Sequence, residues 1–179
     1  MAQKRLKSQL RAKKDFVIVA ELTGGPAYSF TPIETFLTGY QQAGPGAIPQ
    51  GFDFTGIMLP QNPGGVANID PSDVLAVLTQ KNLLGDLDFV PHLTCKDSNL
   101  DGLTSTLVGY RQRGVETLLA LTGDKPVTAK RVFEIESIGL LNHIHKMNNI
   151  ALIKSAPEQL TQVRQFFAGA AVSPFKYTE

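Results

Sequence analysis

Five short apolar runs punctuate the chain, at residues 16–20, 55–59, 89–93, 117–121 and 167–172. Each is nearly continuous in apolar character rather than alternating. A strand buried on both faces reads this way, as in a parallel sheet covered by helices. The stretches between them carry helical periodicity and helix-start signals. Thr31-Pro32-Ile33-Glu34 offers an N-cap, a proline at the first helical position and a glutamate at the third, which predicts a capping box. Asp70-Pro71-Ser72-Asp73 repeats that logic ahead of a helix over 74–84. Ser98 or Asn99 caps a helix over 100–113, and Gly114 stands where a left-handed C-terminal residue belongs. A helix over 136–147 carries Leu140, Leu141 and Ile144 on one face, and a last helix is expected over 157–165.

Strand and helix therefore alternate four times and end on a fifth strand. That order implies right-handed βαβ units and a parallel sheet. A doubly wound open sheet and a (β/α)8 barrel both satisfy it. The first strand leads into Leu22-Thr23-Gly24-Gly25-Pro26 rather than G-x-G-x-x-G, and no Walker A sequence occurs, so the usual nucleotide-binding open sheets lose ground. A barrel sets its chemistry at the C-terminal ends of its strands. All five ends here carry polar residues: Glu21; Gln61 and Asn62; His92, Thr94, Cys95 and Asp97; Thr122 to Asp124; and Ser173. The expected architecture is a TIM-type α/β barrel of parallel strands, truncated after about five strands, since a whole barrel takes ~250 residues. Five strands cannot close, so one sheet edge is expected to be unpaired.

The 179 residues suffice for one domain with a real core, spanning 1–179. A formal net charge of +1 argues against a general polyanion binder, and no apolar run approaches the ~20 residues of a membrane span. Neither a nucleic acid nor a membrane is expected as a partner. Cys95 is the single cysteine, so no intrachain disulfide forms and a reducing, cytoplasmic home is the simplest. Residues 1–14 gather Lys4, Arg5, Lys7, Arg11, Lys13 and Lys14. A solvated helix before the first strand is the plainer reading; a phosphate or nucleic-acid contact is the alternative, the latter weakened because no aromatic residue interleaves these charges.

Three tips offer chemistry. Glu21, at the mouth of an apolar strand, reads either as a partly desolvated carboxyl able to donate a proton or as a strand-end acid paired with a lysine. Asp124 follows Gly123, whose missing side chain lets backbone approach a ligand; the alternative is a turn-capping aspartate. His92 with Cys95 invites a zinc reading, but His143 and His145 lie two apart on a helix and diverge, leaving too few ligands, so no metal is expected. Cys95 has no placed base, and a thiol packed under the loop is the simpler reading.

Pro91-His92-Leu93-Thr94-Cys95-Lys96-Asp97 and Leu118-Leu119-Ala120-Leu121-Thr122-Gly123-Asp124 together resemble the methylenetetrahydrofolate reductase family, with its P-H-L-T-C-x-D and L-A-L-x-G-D strand ends. Val19-Ala20-Glu21, Phe133-Glu134-Ile135-Glu136-Ser137-Ile138 and Gly169-Ala170-Ala171-Val172-Ser173-Pro174-Phe175 resemble further segments of it. The resemblance implies a flavin-binding barrel that uses FAD to reduce 5,10-methylenetetrahydrofolate to 5-methyltetrahydrofolate, with NAD(P)H or another electron donor. It implies Glu21 as proton donor and Asp124 as the second catalytic residue. His92, Thr94, Thr122, Gly123, Asp124, Ala171 and Ser173 would bind the cofactor, and Glu21, Gln61 and Asp124 the folate. Pro60 stands where many members have a threonine, and Ser173 where some have a tyrosine. The segment after the fifth strand, with its basic helix, has no counterpart here. A homo-oligomer or a hetero-complex is expected to cover the open edge. Two other readings are a non-catalytic half-barrel that assembles with itself or another chain, and a flavin-free pterin-binding barrel.

Overall fold

The structure, a computed structural model, describes residues 5–25, 28–153 and 164–172. Among them five parallel strands, β1 (Phe16–Glu21), β2 (Phe52–Leu59), β3 (Asp88–Thr94), β4 (Thr117–Leu121) and β5 (Phe167–Ala170), lie side by side in sequence order. The sheet curls into a half-barrel flanked by helices, the α/β architecture that the alternation implies. Helix α1 (Arg5–Ala12) precedes β1, and α2 (Thr31–Ala43), α3 (Pro71–Gln80), α4 (Leu100–Gln112) and α5 (Ser137–Ile153) follow β1 to β4 in turn. No helix among the described residues is long and apolar enough to cross a membrane.

Burial is deepest at the centre. Every residue of β3 is buried, whereas β1 and β5 are exposed at one or both ends. The continuous apolar runs are thus fully covered only in the middle of the sheet. Both outer strands have one neighbour among the described residues, so the sheet has two open edges rather than the single one expected. Ile57, Phe89, Leu93 and Leu118 from the strands pack with Leu37, Leu78, Leu107 and Leu140 from the helices. Each such side chain contributes about 1.5–3 kcal/mol by leaving water. Gly56 lets β2 approach β3, because a Cβ there would stand 2.5 Å from the Asp88 carbonyl oxygen.

The helix ends follow their signals in part. Asp70 caps α3 by accepting from the Ser72 N–H at 2.8 Å, with Pro71 opening the helix. That helix stops at Gln80, short of 84, and Asn82 takes a left-handed φ of 52° just beyond it. Asn99, not Ser98, caps α4 through the Gly102 N–H at 2.9 Å. The capping box at α2 does not form. Phe30 is the N-cap, Thr31 lies inside the helix with its hydroxyl on Ser29, and Glu34 reaches out to Lys81 Nζ at 2.6 Å. Helix α5 continues past 147 to Ile153, and the Asn148 amide bonds both the N–H and the carbonyl of Phe166, each at 2.9 Å, tying α5 to the start of β5.

Helix α1 is more than a solvated extension. Leu6 is buried, and its N–H donates to Asp88 Oδ2 at 2.6 Å at the start of β3. Lys4, Pro26, Ser173 and most of the helix expected over 157–165 lie outside the described residues, and Arg164 and Gln165 are not helical.

Candidate active site

Parallel strands put all their C-terminal ends on one rim. A cavity of about 630 Å³ opens there. Glu21 from β1, Gln61 from the loop after β2, His92 and Thr94 from β3, Thr122, Gly123 and Asp124 after β4, and Ala171 after β5 all line it. Residues marked at the strand tips are thus brought together from five elements; Asn62, Cys95 and Asp97 do not line the cavity, and Ser173 falls outside the described residues. The volume suits a drug-sized or cofactor-sized ring system. A second cavity of about 480 Å³, between Tyr40, Phe52, Phe54 and Leu87, lies at the opposite ends of the strands. Barrel chemistry belongs to the C-terminal rim, so the larger cavity is the candidate site.

His92 is a buried polar wall of the cavity. Its Nε2 lies 3.9 Å from Glu21 Oε2 and has no hydrogen-bond partner among the described residues. Burial lowers the imidazole pKa, and the Glu21 carboxylate pulls the other way with less effect. Burial wins because Glu21, with its side chain 59% exposed, acts through water. That exposure also corrects the expectation of a desolvated carboxyl. Glu21 ends an outer strand, no described residue covers it, and its near neighbour is a histidine rather than a lysine.

The loops beside the cavity are stitched together. Gln61 Oε1 accepts from Thr94 N–H at 2.9 Å and lies 3.0 Å from Thr94 Oγ1. Asp97 Oδ2 accepts from Thr94 Oγ1 at 2.7 Å and from Asn62 Nδ2 at 3.0 Å. Asp124 Oδ2 accepts from Gly64 N–H at 2.9 Å, which bridges two loops rather than capping its own turn. Thr122 Oγ1 sits 3.3 Å from both the N–H and the hydroxyl of Ser137, so it serves the start of α5 as well as the cavity wall. Cys95 is buried below, and burial, with Glu136 adding to it, pushes its thiol up to about 11. A thiol so placed packs; it does not attack.

Spacing along the chain did not mark Lys96, which is buried in the turn after β3. A lysine in a polar loop reads as solvated. The sign of its burial is Gly123 opposite, where φ is +89° and a Cβ would meet Lys96 Cε at 2.8 Å, a relation visible only once the loops are folded.

The residues present fit a flat ring with polar edges. Pro60, Ala120, Leu121, Ala171 and Val172 supply apolar walls, and His92, Thr94 and Gln61 supply polar groups facing the same space.

A family model for methylenetetrahydrofolate reductase matches residues 61–164, more than half of the chain. The match contains Gln61, His92, Thr94 and the Thr122–Asp124 tip; Glu21 and Ala171 lie outside it. No curated protein matches the chain.

Proposed function

The chain belongs to the methylenetetrahydrofolate reductase family, and from that premise we propose that its rim cavity carries out flavin-dependent reduction of 5,10-methylenetetrahydrofolate to 5-methyltetrahydrofolate. The family is a folate-related reductase family. The observation that carries the finer reading is the convergence of Glu21, Gln61, His92 and Asp124 on one cavity with apolar walls.

The chemistry that FAD supplies when bound is hydride donation, with NAD(P)H or another donor as the source of electrons. The chain's own residues do the rest. His92, Thr94, Thr122, Gly123, Asp124 and Ala171 would hold the ring, with Ser173 as a further contact. Gln61 binds the folate. Glu21 gives its proton to a folate ring nitrogen; the carbon–nitrogen bond of the five-membered ring breaks and leaves a cationic iminium carbon. Addition of a hydride there yields the methyl group. The exposure of Glu21 lets it recover a proton from solvent. The Asp124 carboxylate faces the same space and stabilises the positive charge as it develops. Burial lowers the His92 pKa, so the imidazole beside Glu21 is held towards its neutral form.

The test is anaerobic flavin spectroscopy. Purified protein titrated with FAD acquires a protein-bound flavin spectrum; reduction bleaches it, and 5,10-methylenetetrahydrofolate restores it. Protein that takes up no flavin overturns the reading. A colourless oligomer points instead to an assembly protein, and a colourless chain that binds folate points to a flavin-free pterin site.

A further inference from the structure

We propose that Lys96 is a positioning residue that keeps the Thr94 hydroxyl on the Gln61 amide oxygen, the second of two hydrogen bonds that hold this amide at the folate-binding edge of the cavity; the inference rests on the functional reading above.

The residue is 3% exposed. Its Nζ lies 3.3 Å from Asp97 Oδ1 and makes no hydrogen bond among the described residues. Burying an ammonium group is costly, and a half-barrel needs no cation there for packing. What the cation touches is a relay that ends in the cavity. Asp97 turns its other oxygen to Thr94 Oγ1 and Asn62 Nδ2. Thr94 Oγ1 lies between Asp97 Oδ2 at 2.7 Å and Gln61 Oε1 at 3.0 Å, and it has one proton for two acceptors. An unpaired carboxylate would keep that proton. Lys96 neutralises part of the Asp97 charge and leaves the hydroxyl able to serve Gln61.

The orientation of Gln61 follows from the same contacts. The Thr94 N–H can only donate, so the atom facing it is the amide oxygen. The amide NH2 therefore points away from Thr94, and Gln61 lines the cavity. It offers two donors to a ring edge that carries acceptors, such as a ring carbonyl and its neighbouring nitrogen. The lysine stem has a separate task. Its Cγ and Cε stand 2.9 and 2.8 Å from where a Cβ on Gly123 would be, so the stem supports the turn that leads to Asp124.

The two tasks are separable, because Lys96→Met keeps an unbranched stem and removes the charge. FAD-loaded protein carries the test, with 5-methyltetrahydrofolate as the binding probe. Lys96→Met is expected to melt cooperatively and take up FAD like the wild type. It should bind the probe on the order of tenfold more weakly, and in turnover KM for the folate should rise with kcat nearly unchanged. Gln61→Ala should weaken binding similarly, and the double variant should be no weaker than Gln61→Ala alone. Unchanged affinity in Lys96→Met, additive losses in the double variant, or a fall in kcat without a change in KM overturns the proposal. Should Lys96→Met fail to melt cooperatively, Asp97→Asn breaks the same ion pair at constant size and is held to the same outcomes. Wild-type protein that binds neither FAD nor folate overturns the functional reading and this inference together. Wild-type binding matched by Lys96→Met overturns the inference alone.

Discussion

The Nε2 atom of His92 faces the Oε2 atom of Glu21 at 3.9 Å, and the two side chains differ sharply in environment, 6% and 59% exposed. One is a buried base held towards its neutral form; the other is an acid in contact with solvent. The pair sets a solvent-exposed carboxyl group at the cavity mouth beside a histidine that burial holds towards its neutral form.

Replacing Glu21 by Gln removes the proton and keeps the shape. Methylenetetrahydrofolate reduction is expected to fall by about 10²–10⁴-fold. Flavin uptake and the melting temperature should stay where they are, since the side chain is exposed. Steady-state rates beside a thermal melt check both halves, and a variant with normal turnover removes Glu21 from the mechanism.

His92 makes stability depend on pH. Burial lowers its pKa in the folded chain, so the unfolded chain binds the proton first. Its contribution is complete above the unfolded value of about 6.5 and is lost as pH falls from there through the lowered folded value. The melting temperature should drop over that window, and less so in His92→Gln. The Glu21→Gln variant, which removes the charge that raises the imidazole pKa, should push the His92 titration still lower in an NMR experiment.

Two adjacent glycines separate strain from collision. Gly64 and Gly65 both have positive φ, at 66° and 75°. A Cβ on Gly64 meets nothing, whereas one on Gly65 would stand 1.9 Å from the Lys125 carbonyl oxygen. Gly64→Ala should cost about 1 kcal/mol from the left-handed backbone alone. Gly65→Ala should cost about 3 kcal/mol or more, because the Val127 N–H to Gly65 oxygen bond at 3.0 Å cannot survive the shift. Denaturant melts of the two variants give the difference; equal losses would mean that the loops part freely.

Cys95 should resist thiol reagents in the native protein. It is buried and its thiol is pushed up to about 11, so little thiolate forms near neutral pH. Labelling with a chromogenic disulfide should proceed only as the chain unfolds. Fast native-state labelling would show that the turn after β3 opens.

The order of strands and helices, and the cluster of polar tips, were readable along the chain because both depend on local pattern. Continuous apolar runs name buried strands, and parallel order then carries Glu21, His92 and Asp124 to one rim whatever the loops do. Other features depend on relations that no window contains. The exposure of Glu21 comes from its strand being an outer one. The docking of α1 rests on Leu6; Leu6 and Leu10 share one face of a basic helix, but only the fold shows that Leu6 is buried while Leu10 stays exposed. Thr31 and Glu34 had the chemistry of a capping box, but Lys81, 47 residues on, offered Glu34 a charged partner instead. The burial of Lys96 needed Gly123 to be folded against it.

Each strand of the sheet pairs with the one that precedes it in the chain. No pairing has to wait for a distant segment, so the entropy of closing each loop stays small and contact order is low for a parallel sheet. Assembly is then a matter of laying one strand–helix unit on the last. The same arrangement lets dismantling begin at either flank, where β1 and β5 have one neighbour among the described residues, while β3 is held from both sides.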